Sequence, residues 1–215
     1  MATDLPAESV AMGALAHQGR FFVFEGIDGS GKSTVARRMA ERLESEGRPT
    51  VLTAEPTDSW VGEMVRRGNE EAASPFTETL LYIADRAEHT AQIDRWLADG
   101  RYVVCDRYVG STLAYQGVTL RPHLGDRAVA WLREINAPFT IRPTITFLLL
   151  LDPEAAMERL GSRPGRAKFE HLDFLRKVDA EYRQLARGDR SYIVIDASLP
   201  LDEVAATVWG LMSRY

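Results

Sequence analysis

Gly26-Ile27-Asp28-Gly29-Ser30-Gly31-Lys32-Ser33 carries the densest chemistry in this 215-residue chain. Two glycines, a lysine and a serine at these offsets fit G-x-x-x-x-G-K-[ST], a loop that wraps a nucleotide's phosphates. The glycines let successive backbone N–H groups turn toward one anion. A helix that starts near Lys32 adds the positive end of its dipole. Lys32 brings a mobile full charge to the outer phosphates, and Ser33 offers a hydroxyl to Mg2+. The loop follows the apolar run Phe21-Phe22-Val23-Phe24 and precedes a helical pattern with Val35, Met39 and Leu43 on one face. That strand–loop–helix context is the one the motif requires.

Three other groups could act with it. Asp106, after Val103-Val104-Cys105, and Asp152, after Leu148-Leu149-Leu150-Leu151, compete for the acidic residue that helps hold Mg2+ at the end of an apolar strand. Asp152 precedes Pro153 and explains itself as a helix N-cap, so Asp106 is preferred; its alternative use is a structural salt bridge. Tyr82 and Arg86 share a helical face, where a ring can stack on a flat base and a guanidinium can donate to an exocyclic carbonyl. The competing reading is a tyrosine partly in the core and Arg86 paired with a nearby acid. Gly161-Ser162-Arg163-Pro164-Gly165-Arg166-Ala167-Lys168 is rich in Gly, Pro and cations. It reads either as a solvated loop or as a lid that carries cations over bound phosphates.

Five apolar runs must position these groups: Phe21–Glu25, Thr50–Ala54, Tyr102–Asp106, Thr144–Leu151 and Ser191–Asp196. Each is apolar nearly throughout, as expected for strands covered on both faces of a parallel sheet. Helical patterns between them predict a doubly wound α/β fold. Helix ends are legible at Gly47 and Pro49, at Ser74-Pro75 and Gly100, and at Asp152-Pro153. Further helices are predicted over about 172–187 and 201–212. Ligands gather at the carboxyl ends of such strands, which here carry the glycine-rich loop, Glu55-Pro56-Thr57, Asp106-Arg107-Tyr108 and Asp196-Ala197-Ser198.

The net charge of −5 argues against a general nucleic-acid binder but not against a local phosphate site. The single cysteine, Cys105, reads as a buried strand residue, and one cysteine forms no internal disulfide; a reducing, cytoplasmic setting is expected. No apolar stretch has the ~20 residues of a membrane span. Residues 1–19 include Asp4 and Glu8, lack the basic start of a secretory signal, and are expected to form a loosely ordered extension. The rest, 20–215, is expected to be one domain with a lid at about 161–170.

The chain resembles the thymidylate kinase family. Phe24 through Thr34 looks like that family's opening motif, and Leu81-Tyr82-Ile83-Ala84-Asp85-Arg86-Ala87 is similar to its base-binding helix. Asp106-Arg107-Tyr108-Val109-Gly110-Ser111-Thr112-Leu113-Ala114-Tyr115-Gln116-Gly117 resembles its second signature closely, and Arg163 through Tyr182 its lid and following helix. The likeness runs in order over about residues 20–212.

It implies a P-loop fold, a three-layer sandwich around a five-stranded parallel sheet in order 2-3-1-4-5, and ATP-dependent conversion of dTMP to dTDP with Mg2+. It also implies a homodimer. Arg107 would hold the dTMP phosphate beside Ser111. Tyr82 would stack on thymine and Arg86 would bond its O4, with Thr112 and Gln116 lining the base pocket. Tyr115 would lie under the sugar, Asp28 between acceptor and metal, and Glu55 near the acceptor sugar and phosphate. Positions 27–30 supply no cation, so the chain looks like the variant in which Arg163, Arg166 and Lys168 of the lid provide it. Ala54 departs from the Arg that members commonly carry before Glu-Pro. The runner-up function is another nucleoside or nucleoside monophosphate kinase on the same fold. A non-catalytic nucleotide switch is the alternative of a different class.

Overall fold

The computed structural model describes residues 19–161 and 171–215. Five parallel strands form one sheet in the order β2-β3-β1-β4-β5, as the resemblance implies. They are β1 (Arg20–Glu25), β2 (Thr50–Ala54), β3 (Tyr102–Asp106), β4 (Ile145–Leu150) and β5 (Tyr192–Asp196). β1 is central, and its Phe22 pairs in register with Val104 on β3 and with Ile145 on β4.

Successive side chains of β1 diverge with the period of a strand. Phe22 and Phe24 enter a core shared with Val35, Met39 and Leu43 of α1 (Lys32–Ser45) and with Val208 and Met212 of α8 (Leu201–Met212). Phe24 stacks on Phe147 with ring centres 5.2 Å apart. Phe21 and Val23 instead pack with Ile93 and Leu97 of α3 (Pro75–Ala98) and with Tyr108. The remaining helices are α2 (Trp60–Glu70), α4 (Val109–Leu124), α5 (Ala128–Asn136), α6 (Pro153–Leu160) and α7 (Leu172–Gly188). Among the described residues, no helix is long and apolar enough to cross a membrane.

The expected caps are present. Ser74 Oγ accepts from Thr77 N at 3.3 Å, and Pro75 opens α3. Gly100 takes a positive φ of 76° just past the end of that helix, which an L side chain would resist. Asp152 Oδ1 accepts from Glu154 N at 3.0 Å, the capping use that its sequence context foretells.

One expectation needs correcting. β2 and β5 are not covered on both faces: Leu52 is 44% and Val194 51% exposed. Both strands lie at the sheet's edges and miss a neighbour that the inner strands have. An apolar run alone does not separate an edge strand from a central one. α2, α4 and α5 have no counterpart among the individually predicted helices. Residues 1–18 of the expected extension, and most of the expected lid, including Arg163, Arg166 and Lys168, lie outside the described residues. Gly19 is described, and its N–H donates to Leu97 O at 3.3 Å.

Candidate active site

The loop between β1 and α1 has the backbone that its glycines foretell. Gly29 and Gly31 sit at φ 83° and 88°, the left-handed region. A side chain at Gly29 would also meet Ala156 O at 2.6 Å, whereas Gly31 faces open space. α1 begins at Lys32 with no side-chain cap and no acid in its first turn, so its amino end keeps its positive dipole for a ligand. Lys32 is buried, with Nζ 3.4 Å from Ile27 O and 3.7 Å from Asp28 Oδ1. Burial, together with the nearby Arg107 charge, pushes its ammonium down to about 8, against the pull of Asp28. Ser33 is exposed at the start of the helix.

Asp28 joins this loop to the next strand end. Its Oδ1 accepts from Arg107 at 2.5 Å and its Oδ2 from the Tyr115 hydroxyl at 2.8 Å. Burial alone would raise its carboxyl, but Arg107, then Lys32 and the Tyr115 hydrogen bond, hold it well below the usual carboxylate range. One carboxylate therefore touches a cation of the glycine-rich loop and a cation after β3. Arg107 has a positive φ of 71°, unusual for a residue with a side chain. Its N–H donates to Phe24 O at 2.9 Å, and its guanidinium also reaches Ser111 Oγ at 3.1 Å and lies over the Tyr115 ring.

Asp28, Glu55, Tyr82, Arg86, Arg107, Ser111, Thr112, Tyr115 and Gln116 line one cavity of about 140 Å3, together with Pro56. They come from the ends of β1, β2 and β3 and from α3 and α4. A larger cavity of about 320 Å3, walled by Tyr108, Asn136 and Tyr192 among others, contains none of the expected site residues.

Arg86 is paired with an acid, Glu55, as the competing reading expects, and it also lines the cavity. Its Nη2 donates to Glu55 Oε2 at 2.5 Å and to Tyr108 O at 3.2 Å, and its Nη1 to Asn136 Oδ1 at 2.8 Å. Its Nε is buried without a partner, and so is Thr112 Oγ1. Buried polar atoms are ordinarily paired, so an orphan on a residue that lines a cavity calls for a partner that a ligand could supply. Ser30 Oγ within the glycine-rich loop and Asp106 Oδ1 at the end of the neighbouring β3 are also buried orphans. Among the described residues no three His, Cys, Asp or Glu side chains cluster as a metal cage, so a divalent cation here would need substrate oxygens to fill its shell.

Several supporting residues escape the sequence reading. Glu25 is fully buried and accepts from Tyr108 N, Ser111 N, Ser111 Oγ and the Tyr182 hydroxyl, at 2.6–3.0 Å. It thereby caps α4 from the neighbouring strand, and burial pushes its carboxyl up despite these bonds. A side chain at Gly110 would stand 2.7 Å from Glu25 Oε1, so that carboxylate demands glycine there. Asn69 of α2 donates to the Tyr82 hydroxyl at 3.0 Å, and Glu78 accepts from Gln116 at 3.1 Å. Asp85 binds Thr57 through N and Oγ1 and so fixes the loop that carries Glu55. A charged residue ending an otherwise apolar strand could have pointed to Glu25; no local pattern points to Asn136 or Asn69.

Comparison with known proteins follows the same line. The family profile described as thymidylate kinase matches residues 24–208. A "Probable thymidylate kinase" of Methanoculleus marisnigri is 45% identical over 188 residues, covering 86% of this chain and 90% of the relative. One of Methanosarcina mazei is 40% identical, covering 89% and 94%. A "Thymidylate kinase" of Solidesulfovibrio magneticus is 37% identical, covering 90% and 99%.

Proposed function

From a chain that belongs to the thymidylate kinase family, which phosphorylates dTMP to dTDP with ATP, we propose a division of labour across one site. The glycine-rich loop, Gly26 to Ser33, takes the ATP phosphates. The cavity from Glu55 to Gln116 takes dTMP. The carrying observation is the pair of buried, unpartnered atoms on that cavity's residues, Arg86 Nε and Thr112 Oγ1. Thymine offers an acceptor at O4 and a donor at N3–H. The guanidinium N–H can only donate, and the hydroxyl can accept. Cytosine carries the opposite pattern at both positions.

Phosphoryl transfer asks for in-line placement and cancellation of charge. Arg107 holds the acceptor phosphate, and Lys32 the outer phosphates of the donor. Asp28, bonded to Arg107 and near Lys32, sets the spacing between the two cations. The attacking phosphate oxygen is already largely ionised at neutral pH, and Asp28, held so far below its usual range, is a weak base; it positions. Tyr115, its phenol pushed up by burial, stays a neutral donor to Asp28 and presents its ring beneath the sugar. Tyr82 stacks on the base, and Gln116 closes the pocket. Mg2+ would be held by Ser33 and by Asp106, whose orphaned carboxylate oxygen suits a hard cation, and would neutralise phosphate charge. Arg163 or Arg166, in a lid at about 161–170 of a single kinase domain over 20–215, completes the charge on the moving group.

The enzyme works as a cytoplasmic homodimer. Exposed Leu52, Trp60, Phe76 and Leu80 on β2, α2 and α3 support pairing, and the buried free thiol of Cys105 suits a reducing compartment. Assaying dTMP, dUMP, dCMP and UMP side by side with ATP tests the reading. dTMP should lead, and a preference for UMP or dCMP would sink it.

A further inference from the structure

Arg86 and His89 lie three residues apart on α3 and share a face of that helix. Both are buried, and both reach one carboxylate. Glu55 Oε2 accepts from Arg86 at 2.5 Å, and Glu55 Oε1 lies 3.0 Å from His89 Nδ1. Across the ring, His89 Nε2 lies 2.8 Å from Thr53 Oγ1 on β2. Against a carboxylate already bonded to Arg86, Nδ1 is the nitrogen that carries hydrogen; Nε2 then takes the Thr53 hydroxyl. A continuous polar row results, from Thr53 through His89, Glu55 and Arg86 to Asn136 on α5.

We infer that His89 is a positioning residue for nucleobase recognition: it fixes the Glu55 carboxylate, which orients the Arg86 guanidinium toward the base. Glu55 sits on the loop after β2, on a side chain with three rotatable bonds. Its two oxygens are held by two α3 residues one turn apart, so the carboxylate cannot swivel while both bonds stand. The histidine ring is fixed in turn by Thr53 and by an edge-on contact with Trp96 at 6.4 Å. Removing the ring's bond leaves Oε1 buried without a partner and frees the carboxylate to turn. Arg86 Nη2, shared between Glu55 and Tyr108 O, turns with it, the planar guanidinium carries Nη1 off Asn136, and Nε leaves its place. A wrongly aimed guanidinium still fills the pocket, but it no longer favours a 4-carbonyl.

The inference rests on the assignment of Arg86 to that carbonyl. Steady-state kinetics of the full chain separate the two, using His89→Leu, His89→Asn, Thr53→Val and Arg86→Met with dTMP, dCMP and ATP. His89→Leu should raise the KM for dTMP about tenfold, the loss of one buried bond to a charged group, with the KM for ATP within about twofold. Its preference for dTMP over dCMP should fall in step. His89→Asn, whose amide can replace Nδ1–H, should recover most of both. Thr53→Val should shift the same quantities in the same direction by about two- to threefold. A folded His89→Leu protein with unchanged dTMP KM, or one in which the KM values of dTMP and ATP rise together, overturns the inference. If His89→Leu does not fold, Thr53→Val decides, and an unchanged dTMP KM and base preference there overturns it. Arg86→Met impaired beside a normal His89→Leu removes the role of His89 alone. Arg86→Met with normal dTMP kinetics removes the base assignment and the inference together.

Discussion

Gly26 to Ser33, the proposed donor site, occupies consecutive positions and would meet phosphate mainly with backbone, a helix end and one lysine. The acceptor cavity gathers side chains from three strand ends and two helices, between Asp28 and Gln116, and braces them with Glu25, Asn69, Glu78, Asp85, His89 and Asn136 behind. The difference follows from what each half is proposed to recognise. A phosphate is a symmetric anion, and any ring of N–H groups satisfies it. A particular base and sugar need donors and acceptors at set angles, which only buried, mutually bonded side chains hold still.

The sharpest way to break this division is Arg107→Ala. It should lower kcat/KM for dTMP roughly 10³-fold, the scale of losing one charge-stabilising donor, with the KM for ATP little changed. Lys32→Met should lower kcat to a similar degree while leaving the KM for dTMP near normal. Steady-state titration of each substrate reads both. If the two variants shift the same substrate, the halves are misassigned.

Backbone strain gives the next effect. Gly29→Ala carries a positive φ and a carbonyl 2.6 Å from the added carbon, so it should lose roughly 3 kcal/mol of stability. Gly31→Ala has nearly the same φ but open space around it, and should lose about 1 kcal/mol. Denaturant midpoints of the pair separate conformation from crowding. Equal losses would mean that Ala156 yields and that the loop is less tightly seated than the contact implies.

Much of the fold was legible because its signals are local. All five strands fall within a residue or so of the apolar runs, and Ser74, Pro75, Gly100 and Asp152 mark helix ends where they stand. The exposure of Leu52 and Val194 was not legible, since strand order decides which runs become edges. The expected acceptor residues do converge, yet the sequence offers no hint that Arg86 is held by Asn136, fifty residues on, or that Glu55 is shared with His89. Such partners are chosen by packing of distant elements, and a polar residue looks alike in a network and on a surface.

Thr112→Val gives a smaller change that discriminates between a site and a scaffold. Its hydroxyl is buried with no partner, so the near-isosteric swap removes an unsatisfied group and should stabilise the ligand-free protein by about 1 kcal/mol. The same swap should raise the KM for dTMP about fivefold, because the base loses the partner for its N3–H. Opposite signs are what a preorganised recognition group produces. A loss of stability with unchanged KM would make Thr112 a scaffold residue and leave the base edge to Arg86 alone.

A further effect is electrostatic and tests the joint between the halves. Arg107 and Lys32 hold Asp28 below its unfolded value, so the native state binds fewer protons there than the unfolded chain as the pH falls. The stability Asp28 contributes is fully present above the ordinary aspartate range. It is lost as the pH drops from that range through the lowered folded value. Asp28→Asn removes that contribution, so the midpoint difference between wild type and variant should be largest near neutral pH and shrink below about pH 4. A difference that stays constant with pH would mean that Asp28 acts through its hydrogen bonds to Tyr115 and Arg107 and not through its charge. The two cations would then be spaced by those hydrogen bonds and by the strand ends that carry them, with no contribution from a buried charge between them.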